Sequence, residues 1–154
     1  MKIREFQTEL WLPLSPEELF PFFADAANLD ALTPRWLNFR ILTPRPIVIR
    51  EGTLIDYRLR VHGLPLCWRT RINAWQPPHR FVDEQLRGPS RQWIHEHTFE
   101  PRDGGTLARD HVRYAMPLDF LLHRWLVQTD IKRIFQYRAE MLRKRFRPAP
   151  KSGT

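Results

Sequence analysis

Along residues 3–12 polar and apolar positions alternate, placing Phe6, Thr8, Leu10 and Leu12 on one face. That period of two is the signature of a half-buried strand, and Pro13 ends it. Ser15-Pro16-Glu17-Glu18 then starts a helix: Ser caps, Pro occupies the first position where its missing N–H costs nothing, and the carboxylates face the positive helix end. Leu19, Phe20, Phe22 and Phe23 supply its apolar face. Residues 25–32 read as a break and a second short helix, ended by Thr33-Pro34, and Trp36 to Leu42 as a strand.

From Thr53 the alternation becomes regular. Thr53, Ile55, Tyr57, Leu59 and Val61 face one way, with Asp56, Arg58 and Arg60 opposite. Leu66, Trp68, Thr70, Ile72 and Ala74 repeat the division after a turn at residues 62–65. Strands over 80–86, 91–100 and 106–115 follow, separated by Pro77-Pro78, Gly88-Pro89 and Arg102-Asp103-Gly104-Gly105. Successive hairpins predict an antiparallel sheet. Residues 119–146 contain no Gly or Pro, and Leu122, Trp125, Leu126, Ile131, Ile134, Phe135, Met141 and Leu142 recur at helical spacing. At about 1.5 Å per residue this helix reaches roughly 40 Å, enough to cross a sheet. A curved sheet gripping one long helix encloses space, and such space is where apolar ligands sit in small proteins.

Composition fits this picture. A chain of 154 residues that is 42% hydrophobic builds one domain, assigned to residues 1–147 with a flexible tail at 148–154. The six Trp and ten Phe suit either a core or a cavity wall. The net charge of +8 is almost wholly guanidinium. Arg58, Arg60, Arg69, Arg71, Arg109 and Arg113 form a stripe on the outer sheet face, read either as a solvated face salt-linked to Asp56 and Glu96 or as a surface for anionic membranes or nucleic acid. Nucleic acid is the weaker partner because the aromatics point to the other face. Cys67 stands alone, so no internal disulfide forms, and the N-terminal residues lack the apolar run of a signal peptide. No segment approaches the roughly 20 apolar residues of a membrane span, so a cytoplasmic protein is expected.

Phe22-Phe23-Ala24-Asp25-Ala26-Ala27-Asn28-Leu29 with Leu32-Thr33-Pro34, Glu51-Gly52-Thr53, residues 75–81, residues 93–99 and Gly104-Gly105-Thr106 together carry a resemblance. In these pieces and in its layout the chain resembles the START-like, or SRPBCC (Bet v 1-like), superfamily, in its bacterial ligand-binding branch labelled polyketide cyclase/dehydrase. The resemblance implies an α+β helix-grip fold, a seven-stranded antiparallel sheet around the C-terminal helix with two short helices after the first strand. It also implies a hydrophobic ligand such as a lipid, quinone or polyketide. Some relatives are joined to a nucleotide-sugar epimerase-like domain, which would make such a protein a partner by analogy. No one catalytic motif defines the family, so no active site carries over residue by residue.

The strand over 91–99 places Trp93, His95, His97 and Phe99 on one face. With Asp103-Gly104 at the centre of a two-residue turn, His97 falls opposite Asp110 and His95 opposite Val112. His97 and Asp110 are then either a general base with its orienting carboxylate, as a cyclase or dehydratase needs, or a buried polar pair satisfying itself. The His-x-His spacing supplies two metal ligands where three are needed, and Cys67, His62 and His111 do not share that face, so no metal or cofactor is expected. Tyr57, Trp68, Trp93 and Tyr114 project from neighbouring strands as core filler or as a ligand-binding wall, with His95 and His97 beside them.

Overall fold

The computed structural model describes residues 1–118 and 126–148. Strand β1 (Arg4–Leu12) leads into helices α1 (Pro16–Ala24) and α2 (Asn28–Ala31) and a 3-10 turn (Arg35–Leu37). Strands β2 (Arg40–Ile41), β3 (Leu54–Val61), β4 (Leu64–Gln76), β5 (Arg80–Arg87), β6 (Gln92–Arg102) and β7 (Gly105–Ala115) follow, and helix α3 (Gln128–Arg145) completes the order. All strands join one sheet in the order β1-β7-β6-β5-β4-β3-β2, with antiparallel neighbours throughout. This is the α+β helix-grip arrangement. Among the described residues no helix is long and apolar enough to cross a membrane.

Local chemistry explains the punctuation. Ser15 closes a reciprocal capping box on α1: its hydroxyl accepts from the Glu18 N–H at 3.2 Å, and the Ser15 N–H donates to the Glu18 carboxylate at 3.0 Å. The two tight hairpins use residues with positive φ at both central positions, His62 and Gly63 between β3 and β4, Asp103 and Gly104 between β6 and β7. The second turn sets Phe99 opposite Ala108, His97 opposite Asp110 and His95 opposite Val112, the register expected from the sequence.

Two sequence expectations change. The strand expected over Trp36 to Leu42 shortens to Arg40–Ile41, because Pro34 launches a 3-10 turn through Trp36 and Asn38 ends it in the left-handed region at φ 44°. Trp36 instead presents its ring to α3, edge-on to Tyr137 at 5.9 Å and beneath Arg133 at 4.9 Å. Of the helix expected over 119–146, Gln128–Arg145 is seen as α-helix, while Leu122 and Trp125 lie outside the described residues, as does most of the proposed tail.

Two apolar clusters bind the layers. At one end Leu12, Leu19, Phe20, Phe81, Phe99 and Leu142 pack α1 between the sheet and the end of α3. At the other, Val112 and Tyr114 of β7 meet Ile131 and Phe135 of α3. The outer sheet face is salt-linked: Arg69 to Asp56 at 2.7 Å, Arg71 to Glu84 at 3.0 Å, Arg80 to Glu96 at 2.6 Å, and Arg109 to Glu100 at 2.6 Å. Such exposed pairs settle like charges on neighbouring strands more than they add stability.

Leu19 is fully buried at the centre of the first cluster. Leu19→Ala should cost about 2–5 kcal/mol, read as a lower urea midpoint at unchanged m-value. A cost below about 1 kcal/mol would show that α1 does not anchor the fold.

Candidate functional site

A cavity of about 600 Å³ lies between the β3–β4 side of the sheet, α3, and the segment from α1 to β2. Phe22 and Phe23 of α1, Leu29 and Leu32, Trp36, Leu37 and Phe39 form one wall. The inward residues of the strands form another: Ile55, Tyr57, Leu59 and Val61 on β3, and Leu66, Trp68, Thr70 and Ile72 on β4. Ile131, Ile134 and Phe135 close it from α3. The turn of β3–β4 is tied to the start of that helix by His62 Nε2 and Asp130 Oδ2, 2.7 Å apart.

The aromatic wall has a geometric cause. Strand β5 pairs with β4 from Arg69 onward and with β6 only as far as Ile94, so Trp68 and Trp93 lie just past the ends of the two ladders. Trp68 stacks on Tyr57 at 5.9 Å and meets Trp93 edge-on at 5.6 Å. Thr70 supplies the polar tip: its hydroxyl accepts from Trp68 Nε1–H at 3.1 Å and shares a 3.3 Å hydrogen bond with the Tyr57 hydroxyl. Burial pushes the Tyr57 hydroxyl far above its ordinary pKa, so it remains a neutral donor.

The expected wall residues are thus placed as follows. Tyr57, Trp68, Trp93, His95 and His97 line the cavity. Tyr114 is not among the lining residues; it is 3% exposed, packed in the cluster of Val112, Ile131 and Phe135, and meets the wall at Trp93 with ring centroids 5.8 Å apart. Asp110 also stands back from the cavity, beyond the two imidazoles.

At the cavity floor the charges gather. His95 and His97 lie with ring centroids 3.7 Å apart, and Phe81 stacks on His97 at 3.9 Å. Asp110 Oδ1 is 2.8 Å from His95 Nε2 and 3.1 Å from His97 Nδ1. Asp83 Oδ2, from β5, is 2.9 Å from His97 Nε2 and 3.8 Å from His95 Nδ1. Arg138 of α3 brings Nη2 to 3.9 Å from Asp110, with its guanidinium over the Phe23 ring at 5.6 Å.

Ionised carboxylates only accept, so the facing ring nitrogens must donate. His97 bridges the two carboxylates, with Nε2 2.9 Å from Asp83 Oδ2 and Nδ1 3.1 Å from Asp110 Oδ1. Burial alone would lower its pKa, but the hydrogen bonds to Asp110 and Asp83 outweigh burial and raise it. His95 goes the other way: burial and then the charge of His97 hold it below the ordinary value, despite its bond to Asp110. Its Nε2–H donates to Asp110, leaving Nδ1 with a lone pair. Asp110 stays well below the carboxylate range, since Arg138 and the two imidazoles overcome the cost of burial.

The pairing of His97 with Asp110 is present, and both nitrogens of His97 face carboxylates, whereas His95 has one nitrogen at hydrogen-bonding distance from a carboxylate and the other 3.8 Å from Asp83. Sequence reasoning omitted Asp83 and Arg138. The alternation of Phe81, Asp83 and Gln85 along β5, and the spacing of Ile131, Phe135, Arg138 and Leu142 along α3, place both on buried faces.

A family model described as polyketide cyclase/dehydrase and lipid transport matches residues 12–143. No curated protein matches the sequence. Among solved structures, an aromatase/cyclase from a Streptomyces species superposes with TM-score 0.74 at 14% identity, over 99% of this chain and 100% of that one. A protein from Chromobacterium violaceum gives 0.72 at 18%, covering 94% and 98%. A major latex-like protein from Panax ginseng gives 0.70 at 8%, covering 95% and 99%. At these identities the likeness is one of fold.

The opposed imidazole shifts predict a stability maximum. Below the ordinary value of 6.5 the unfolded chain protonates His95 while the folded one resists, so stability falls as pH drops. Above 6.5 the folded chain keeps the His97 proton that the unfolded one has lost, so stability falls again as pH rises toward the folded pKa. Urea midpoints across this range should peak near pH 6.5 and lose the alkaline decline in His97→Gln. A decline unchanged in that variant would refute the assignment.

Proposed function

Because the chain belongs to the polyketide cyclase/dehydrase and lipid transport family, within the SRPBCC superfamily, we propose that it binds a small or medium hydrophobic molecule between its sheet and final helix. The observation that carries this reading is the cavity of about 600 Å³, within the range of small-molecule sites and lined mainly by aromatic and aliphatic side chains. Enclosure is the mechanism. Apolar ligand surface leaves water at roughly 25 cal/mol per Å², while Thr70, Tyr57 and the His95 edge select orientation by offering a few polar contacts.

Trp68 and Trp93 are the wall residues whose loss should be felt most by a ligand. Trp68→Ala and Trp93→Ala should each weaken binding of the apolar probe anilinonaphthalene sulfonate by about tenfold or more, as expected for about 1.4 kcal/mol or more of lost contact. The urea midpoint should move far less than for Leu19→Ala. Equal loss of binding and stability would make these rings core and sink the reading. Native mass spectrometry with organic extraction, on protein purified gently from its host, would name the occupant.

A second reading is supported by a specific observation: His95, a cavity-lining residue, is held through Nε2 by Asp110 at 2.8 Å, which leaves Nδ1 without a hydrogen bond of its own, 3.8 Å from Asp83. That is the arrangement of a general base, able to take a proton from carbon next to a ligand carbonyl so that this carbon attacks a second carbonyl in cyclisation, or to pass that proton to a β-hydroxyl that leaves as water in dehydration. His95→Gln should then abolish turnover of a poly-β-ketone thioester mimic while probe binding persists within about threefold. Product profiles identical to the uncatalysed mixture for the unaltered protein would leave binding as the function.

A further inference from the structure

We propose that Asp83, His95 and His97 form a binding site for a divalent metal cation of the zinc type, with its open coordination position facing the apolar cavity. Asp83 Oδ2, His95 Nδ1 and His97 Nε2 all lie within 4.8 Å of one another. Two ligands at ordinary bond lengths around a tetrahedral zinc stand about 3.4 Å apart. The Asp83 oxygen is 2.9 Å from His97 Nε2 and 3.8 Å from His95 Nδ1, so the two separations bracket that value.

The surroundings are those of a built site. The nitrogen of each imidazole that faces away from Asp83 meets the same oxygen, Asp110 Oδ1, at 2.8 and 3.1 Å. A carboxylate in that position fixes both ring orientations and raises ligand basicity, the role that outer-sphere carboxylates play behind metal-bound histidines. Charge agrees. A cation that takes the place of the proton between His97 Nε2 and Asp83 keeps both carboxylates, Asp83 and Asp110, around the imidazoles to balance it.

Orientation assigns the open position. Asp83, His95 and His97 line the cavity, whereas Asp110 stands behind the rings. Three protein ligands and one position toward an enclosed space is the plan of a zinc site that accepts an exogenous oxygen, here the carbonyl or hydroxyl of an apolar guest. The exposed pairs His62–Asp130 and His111–Glu5 each offer one imidazole and one carboxylate, too few for comparable affinity.

Titration of untagged full-length protein with zinc, followed by metal analysis after ultrafiltration, should find one tightly held ion per chain. Imidazole NMR signals of His95 and His97 should shift on zinc addition while those of His62 and His111 stay in place, a readout that needs no variant. Cobalt in place of zinc should give the visible d–d absorption of a low-coordinate site. Asp83→Asn should abolish one-to-one binding, and Asp110→Asn, which leaves all three ligands, should weaken it by about 10–100-fold. No stoichiometric zinc, shifts confined to His62 or His111, or unchanged affinity in Asp83→Asn would each overturn the proposal.

Discussion

Buried charge beside apolar volume is the constraint on which the site depends. Asp83 and Asp110 are carboxylates removed from most of the solvent, and an isolated carboxylate in such surroundings would take up a proton instead of remaining ionised. They stay ionised because two elements deliver cationic or donor groups to them, β6 with both imidazoles and α3 with Arg138, while the β6–β7 register puts Asp110 across from His97. The cluster therefore couples the sheet to the final helix. Buried ion pairs seldom add net stability, but removing one partner is costly, so each member constrains the placement of the others.

The sheet makes room for this cluster by failing to be uniform. Shifts in register between Arg69 and Thr70 and between Ile72 and Ala74 bend β4 along its length. Where β5 stops pairing, Trp68 and Trp93 come together and the wall becomes aromatic. Toward the other end of the same strands, Trp75, Phe81 and Phe99 converge on Phe20 with centroids 5.1–6.0 Å away and leave no comparable space. One sheet thus carries a packed end and an open end, with the histidines at the boundary.

Much of this was legible in the chain because period-two alternation states which side chains share a face, and two-residue turns state which residues oppose. Tyr57, Trp68 and Trp93 could be assigned to one wall, and His97 to Asp110, on those grounds alone. For Tyr114 alternation left core and wall both open, because sharing a face with Trp93 does not establish whether that part of the face meets the helix or the cavity. Asp83 and Arg138 were missed because contacts across three elements depend on register shifts and on helix rotation, neither of which alternation encodes. The roles of the two imidazoles were equally hidden. They differ by one step along the strand face, and only the positions of both carboxylates push the pKa of His97 up while that of His95 is held down.

The cavity also sets where stability must reside. Unfilled apolar volume forgoes packing at about 24 cal/mol per Å³, so a space of about 600 Å³ forgoes an amount comparable with the whole net stability of a domain, roughly 5–15 kcal/mol. The fold must therefore be held from the two flanking clusters, the ladder of hydrogen bonds and the closure of β1 on β7. An occupant that fills the space restores contacts absent from the empty state, and by mass action it stabilises the folded chain in proportion to its affinity. The wall and the floor are thus two environments in one space, apolar surface along the wall and an ionic cluster at the floor.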